Sequence, residues 1–461
     1  MKTEFKKLTD IGKHKYLRVD TEYWFWYDIV NEKINNYVLL KDIFKFVNGS
    51  VQTSNYVDEI TTIPYVRISD LDYRHGISTE DFIYLSEDAS ISKEKILRND
   101  DIIFTTIGSV GKVSLCEKAV GGTFSNNTVV LRSDSLDFIE KKYYEKLLQT
   151  DFYKQYSFMI ASHKVQPNLQ PYDLSNIRIP IVSKEEMANF VSSISPSEKK
   201  IDALFKKIKP VQEIIDESFR VRFGLDYTKF NELNSIKRYT SSLSAFSNNP
   251  DLRFSAKFHR SAGDYVMSEL MRIPHKKIKK FLKEPIILGA SVSPSNFDER
   301  GHAYYISMAS IKTYEVVLDD TQLLSEEYYD KYGYKDVKPG DIIIARSGVA
   351  IGKTALVKEE FDGVFADFTM RIRLKNYNTQ FAYYYFRSKY FQYLIEIYKK
   401  GCQNQNIFPI VMQEFPLIDI SLEEQQKFVN EIEEEINKQN KIRDNINSLR
   451  DSMDDYLKFT V

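Results

Sequence analysis

Asp101-Ile102-Ile103-Phe104, followed by Gly108 and Gly111-Lys112, returns 240 residues later as Asp341-Ile342-Ile343-Ile344, followed by Gly348 and Gly352-Lys353. An unbroken apolar run of this length, closed by a glycine loop, reads as a buried strand entering a turn. Working outward, Phe124 to Arg132 matches Phe365 to Arg373 at an offset of 241. Asn168-Leu169 matches Asn406-Ile407, and Ser183 matches Ser421, both at 238. Upstream, Tyr65-Val66-Arg67-Ile68-Ser69-Asp70-Leu71 pairs with Tyr305-Ile306-Ser307-Met308-Ala309-Ser310-Ile311. Leu17-Arg18-Val19-Asp20-Thr21-Glu22-Tyr23 pairs with Leu252-Arg253-Phe254-Ser255-Ala256-Lys257-Phe258. Blocks in one order with so little drift mark a tandem duplication of about half the chain.

Each half begins with short Ile/Val/Tyr runs broken by Gly, Pro, Asn and Asp, as strands joined by turns are. A helical stretch follows, Lys141 to Met159 in one half and Thr379 to Lys399 in the other. Each half ends in a charged segment with a heptad-like seam. The first seam is Met187, Phe190, Ile194, Ile201, Leu204, Ile208, Val211 and Ile215, with Ser197 inside its seven-residue step. The second is Val429, Ile432, Ile436, Gln439, Ile442, Ile446, Leu449 and Met453. Ser183 with Glu185-Glu186, and Ser421 with Glu423-Glu424, have the form of helix caps. Pro196 is expected to restart the first helix and Pro210 to kink it.

The spacing predicts an α+β protein with two globular domains in tandem, separated by two long helices packed as an antiparallel coiled coil. The expected divisions are 1–182 and 226–420 for the globular regions, the latter with its connector from Asp226 to Pro250. Residues 183–225 and 421–461 are the expected helical regions. The plain alternative is that each helix packs only on its own half.

Composition narrows the function classes. Of 461 residues, 64 Lys and Arg oppose 65 Asp and Glu, a net charge of −1. A chain that coats nucleic acid without selectivity is strongly basic, so nucleic-acid binding here must come from local patches or be shared with a partner. The two cysteines, Cys116 and Cys402, stand far apart, with no disulfide framework and no zinc-ligand spacing. There is no apolar run of 18 residues, and no apolar stretch follows the initial Met1-Lys2-Thr3. A soluble, cytoplasmic protein with no membrane partner is the expectation.

Gly348-Val349-Ala350-Ile351-Gly352-Lys353-Thr354 looks like a phosphate-binding loop, yet holds three residues between its glycines where that motif needs four. The copy at Gly108-Ser109-Val110-Gly111-Lys112-Val113 is shorter still. A phosphate loop opens a helix, whereas Val113-Ser114-Leu115 and Thr354-Ala355-Leu356 read as strand. A tight turn that presents Ser109 and Lys112 in one half, and Arg346, Ser347 and Lys353 in the other, suits contact with a phosphodiester backbone. A purely structural turn remains the alternative.

A second polar cluster also recurs. His163-Lys164-Val165-Gln166-Pro167-Asn168 fills the slot that Gly401-Cys402-Gln403-Asn404-Gln405-Asn406 fills in the other half. Carboxamides can pair with adenine, and cations with guanine. His163, Lys164, Gln166, Asn168, Gln403, Asn404, Gln405 and Asn406 are therefore candidate DNA contacts, with simple loop solvation as the alternative. Two readers of different sequences on one scaffold would look like this. Methyltransferase, GxSxG, HExxH and GxGxxG signatures are absent, and the six histidines show no ligand spacing. Nothing argues for catalysis, a metal or a bound cofactor. Trp24 and Trp26, in Tyr23-Trp24-Phe25-Trp26-Tyr27, alternate as a core strand would.

In the order of these duplicated blocks, the chain resembles the specificity (S) subunits of Type I restriction–modification systems over nearly its whole length. The residues that carry the likeness are the Asp-Ile-Ile-[Phe/Ile] strand with its glycine–lysine loop in each half, the openings at Leu17 and Leu252, and the acidic helix starts after Ser183 and Ser421. The resemblance implies two target recognition domains, each reading half of a bipartite double-stranded DNA target, with helix length setting the spacer. It implies two methyltransferase subunits, which bind S-adenosylmethionine, docked on the helices, and restriction subunits as further partners. The chain itself would catalyse nothing. An S-like partner of a fused Type IIB restriction–methylation enzyme, a coiled-coil scaffold without DNA, and a glycine-loop nucleotide-binding enzyme are the competing readings.

Overall fold

An apolar run without alternation needs cover on both faces of its strand, and both copies have it. The computed structural model describes residues 21–458, except 58–59, 73–75, 78–81, 163–165, 237, 245–254, 256, 309, 312–313, 317, 319–320 and 402–404. These fall into two compact units, Met1–Lys207 with Ile442–Val461, and Ile208–Lys441. The paired openings at Leu17 and Leu252 lie outside the described residues, as does Cys402.

In the first unit, β1 (Tyr37–Leu39) pairs antiparallel with β10 (Arg178–Pro180). The central sheet has the order β2-β9-β6-β7, formed by Lys45–Asn48, Thr128–Arg132, Ile102–Thr105 and Val113–Leu115, all antiparallel. A smaller sheet has the order β8-β4-β5-β3: Thr123–Phe124, Pro64–Val66, Ile83–Leu85 and Tyr56–Val57. Only its β8–β4 pair is parallel. Every residue of β6 is buried. Ile103 and Val130 pack with Val66, Phe124 and the free thiol of Cys116 in a core shared with the small sheet.

The second unit repeats this plan. β11 (His275–Lys277) pairs with β19 (Pro416–Ile418). The central sheet runs β12-β18-β15-β16, from Ile287–Leu288, Thr369–Ile372, Ile342–Ala345 and Thr354–Leu356. The small sheet runs β14-β13-β17, from Leu323–Leu324, Ala303–Ile306 and Gly363–Phe365, with β13–β17 parallel. Along β15 the side chains divide by parity, as strand geometry requires. Ile342 and Ile344 join the core on the helical side, and Ile343 and Ala345 the core on the small-sheet side. Register is shared too: Ile103 faces Val130 where Ile343 faces Arg371.

A buried ion pair is copied along with the strands. Arg132 Nε and Nη2 donate to the two Asp101 carboxylate oxygens at 2.8 and 2.6 Å, and its other donors reach the carbonyls of Glu94 and Ile96. Arg373 grips Asp341 in the same two-pronged way, at 2.6 Å for each contact. In both units the acid also accepts a backbone N–H three residues upstream, from Arg98 or Lys338, at 2.8 Å.

Several sequence expectations are corrected among the helices. Trp24 and Trp26 lie on helix α1 (Thr21–Lys33), not a strand. Five consecutive aromatics carry no polar residue to set the period, and packing decides it: Trp26 meets Phe152 at 5.9 Å while Tyr23, Trp24 and Val30 are buried. The stretch 141–159 is two helices, α2 (Phe138–Gln149) and α3 (Asp151–Ile160), broken at Thr150 with φ −60° and ψ 152°. Pro196 does not restart a helix, because α4 (Lys184–Phe205) runs through it. Buried Ile194 and Ile201 hold the turns on either side of it. Pro210 does not kink a helix either; it is the N-cap of α5 (Val211–Phe223). The connector begins with α6 (Tyr227–Ser235), and α7 (Ser261–Arg272) follows. The stretch 379–399 is likewise two helices, α8 (Thr379–Arg387) and α9 (Lys389–Tyr398), broken at Ser388. Both breaks use a hydroxyl that bonds back to the carbonyl three residues earlier, Leu147 or Tyr385, at 2.7 Å.

The last helix, α10 (Leu422–Lys458), has 37 residues and spans about 55 Å. Ser183 with Glu186, and Ser421 with Glu424, form the reciprocal caps read from the sequence. Of the first seam, Met187, Phe190, Ile194, Ile201 and Ile215 are buried; of the second, Val429, Ile432, Gln439, Ile446 and Met453. Within the second unit, Phe219 of α5 meets Phe428 at 4.8 Å, and Arg222 lies 3.5 Å from Glu424. Gln439, the polar member of its seam, accepts the Lys209 N–H at 2.9 Å, in the segment just before α5. Gln439→Ala should lower the stability of the second unit by about 1–3 kcal/mol, since that donor loses its acceptor. Urea unfolding followed by circular dichroism would read the shift.

Candidate nucleic-acid interface

The loop after β6 is a turn between strands. Gly108 and Gly111 take φ of +77° and +84°, and Gly348 and Gly352 of +75° and +87°. Only glycine enters this region readily, so both loops turn at their two glycines, the second through a single 3-10 turn over Gly348–Ala350 that takes up its extra residue. In the first unit, Thr105 N donates to Lys112 O at 3.0 Å and Gly111 N to Thr105 O at 3.0 Å. Ala345 N and Gly352 N make the corresponding bonds to Lys353 O and Ala345 O at 2.8 and 2.9 Å. Neither loop opens a helix: β7 and β16 follow, as the sequence predicts.

The structure brings the two sequence clusters of each half together. Asn168 and Ser162 exchange backbone bonds at 2.9 Å, Leu169 N donates to Thr106 O at 2.8 Å, and Gly108 N donates to Pro167 O at 2.8 Å. Asn406 and Lys400 exchange theirs at 2.7 Å, and Ile407 N donates to Arg346 O at 2.9 Å. Asn168 and Asn406 thus form single antiparallel bridges to Ile107 and Ser347 of the glycine loops. Gln166 is exposed, and Ser109, Asn168, Ser347, Gln405 and Asn406 are half-buried. His163, Lys164, Gln403 and Asn404 lie outside the described residues.

The cations differ in their holders. Lys112 Nζ donates to the Ile68 carbonyl at 3.1 Å. Lys353 Nζ instead lies over the Tyr314 ring, 5.1 Å from its centre, and the Arg387 guanidinium lies 4.1 Å from the same ring. Tyr314 has φ of +66°, and its carbonyl accepts the Tyr383 hydroxyl at 2.8 Å. Stacking of this kind contributes about 0.5–2 kcal/mol and fixes where the ammonium sits. Arg346 donates from Nε to the Asp367 carbonyl at 2.8 Å and from Nη1 to Asn406 Oδ1 at 3.2 Å.

Tyr314 and the turns ending at Asn127 and Phe368 were not singled out by the sequence. The turns do carry a signal, because they fall in the matched blocks Phe124 to Arg132 and Phe365 to Arg373 at positions where the halves differ. Tyr314 carries none. Among the described residues no group of His, Cys, Asp and Glu could hold a metal ion, and no helix is long and apolar enough to cross a membrane.

The chain is similar to an S subunit of a Type I restriction–modification system from M. genitalium, with 14% identity over 92% of this chain and 96% of that one, and a TM-score of 0.37. A structure of a type I restriction–modification system, described for its assembly and conformational transition, gives 16%, 92%, 96% and 0.42. The HsdS subunit from Thermoanaerobacter tengcongensis gives 16%, 92%, 95% and 0.32. No curated protein matches the chain. The model of the Type I restriction modification DNA specificity domain matches residues 32–212, and the chain therefore carries a Type I DNA specificity domain.

Proposed function

We propose that this chain is the DNA-recognition subunit of a Type I restriction–modification complex, each unit reading one half of a bipartite, asymmetric target. One observation carries the reading. In each unit a single backbone network joins the glycine loop to the polar segment and displays one shared pair, Asn168 with Lys112 or Asn406 with Lys353, while their neighbours differ: Thr106 and Pro167 stand in one where Arg346 and Gln405 stand in the other. A common frame with exchanged side chains is what two readers of different sequences need. Lysines and backbone amides position a duplex, and carboxamides and arginine read base edges.

On this reading residues 1–182 and 226–420 are the recognition regions, and 183–225 and 421–461 the helical spacer. The pairing of Phe219 with Phe428 and of Lys209 with Gln439 supports an antiparallel coiled coil there. Two methyltransferase subunits carrying S-adenosylmethionine dock on those helices, restriction subunits join them, and the chain itself is not catalytic. A net charge of −1 fits a reader whose partners help to enclose the DNA.

Methylation mapping of host DNA with and without the gene tests this directly. A bipartite adenine-methylated motif should vanish on deletion; an unchanged methylome would sink the proposal. Lys112→Ala and Lys353→Ala should each weaken binding alike across sequences and lower the salt slope by about one. An unaltered slope would remove that lysine from the interface.

A further inference from the structure

Each central sheet meets its small sheet through a four-residue turn, Ser125–Thr128 in the first unit and Ala366–Thr369 in the second. Their frames coincide. Ser125 N donates to Val66 O and Ala366 N to Ile306 O, both at 2.9 Å. Thr128 and Thr369 close the turns onto Ser125 O and Ala366 O, through the backbone at 3.0 and 2.9 Å and through the hydroxyl at 2.7 Å in both. Each turn is also tied to the glycine loop, by Thr106 N to Asn127 O and by Arg346 N to Phe368 O, at 2.9 Å in both.

The tips do not coincide. Asn126-Asn127 in the first unit stands where Asp367-Phe368 stands in the second. Phe368 is 54% exposed although Phe365 and Thr369, which flank it, are fully buried. Asp367 Oδ1 is buried with no hydrogen-bond partner among the described residues. An unmatched buried carboxylate oxygen works against folding, and the half-exposed phenyl ring beside it adds little to the core. Placed together beside the candidate interface, they mark a tip shaped by something other than stability.

We propose that this turn is a third reading element in each unit, and that Asn126-Asn127 and Asp367-Phe368 determine bases of the two half-sites. The inference rests on the DNA-recognition reading above. The ligands are base edges in the major groove: adenine for a carboxamide and the thymine methyl for Phe368.

The test uses the full chain, assembled with its methyltransferase subunits and carrying Asp367→Asn with Phe368→Asn, or Phe368→Leu alone. Methylated motifs are mapped on a random duplex library. The double variant should change one or two positions in a single half-site, with preference there moving about 5- to 150-fold. The other half should stay as it was. Phe368→Leu keeps an apolar tip and should relax one of those positions at least about fivefold; it decides the matter if the double variant does not methylate. An unchanged motif in Phe368→Leu, or changes in both halves, overturns the inference. A wild-type complex that yields no bipartite motif overturns the recognition reading instead.

Discussion

Arg132→Ala is expected to remove about 3–5 kcal/mol from the first unit, because it leaves the Asp101 carboxylate buried without its cation. Asp101 is 3% exposed and Arg132 6%, so water cannot replace the lost partner. Four hydrogen bonds leave the guanidinium, two to the acid and two to carbonyls of the segment before β6. The arginine therefore ties β9, β6 and that segment in one grip. Both tryptophans of the chain lie on α1 in the first unit, so their fluorescence during urea unfolding reports that unit. The paired change Arg132→Met with Asp101→Leu should recover only part of the loss, since it removes the stranded charge but leaves the Arg98 N–H and the Glu94 and Ile96 carbonyls without these partners. A midpoint shift worth less than about 1 kcal/mol in Arg132→Ala would mean that the pair does not hold the sheet.

Arg346→Ala should relax specificity in one half-site, by about 1–3 kcal/mol at one position. Arg346 joins the three segments of the second candidate site, its guanidinium through the Asp367 carbonyl and the Asn406 side chain and its backbone N–H through the Phe368 carbonyl. Its Nε and Nη1 are engaged, and among the described residues Nη2 has no partner, which makes it the donor expected to turn toward a base. The first unit has Thr106 at this place, whose shorter side chain bonds the Asn127 carbonyl at 3.3 Å. The contrast with Lys353 is the discriminating feature: loss of Lys353 should weaken every sequence equally, whereas loss of Arg346 should change the order of preference. Binding of the assembled complex to duplexes varied in one half at a time separates the two. A uniform loss in Arg346→Ala would make it a phosphate contact.

The duplication could be read because buried strands leave little freedom in sequence. Asp101 to Phe104 and Asp341 to Ile344 are covered on both faces, and the acid at the head of each belongs to the copied ion pair. The long seams were visible for the same reason, and the polar Gln439 among them now has a role, as the acceptor for the Lys209 N–H. The breaks at Thr150 and Ser388 could not be read. Threonine or serine within a helical stretch is ordinary until its hydroxyl is seen bonding back to the preceding turn. The aromatic run at Tyr23 to Tyr27 gave the wrong period because side chains of one kind set none. The site was half legible. Its residue types stood out, but 60 positions separate Arg346 from Asn406, and only the fold places them side by side.

Cys116 has a consequence of another kind. Its thiol is sealed in the core between the two sheets of the first unit, and burial pushes it up to about 12. At neutral pH it therefore stays the neutral thiol rather than the thiolate, the form that alkylating reagents and oxidants attack. Reaction at this sulfur has to wait until the sheets part. The first unit thus carries an internal clock, whose alkylation rate counts the openings of the core without any label on its surface.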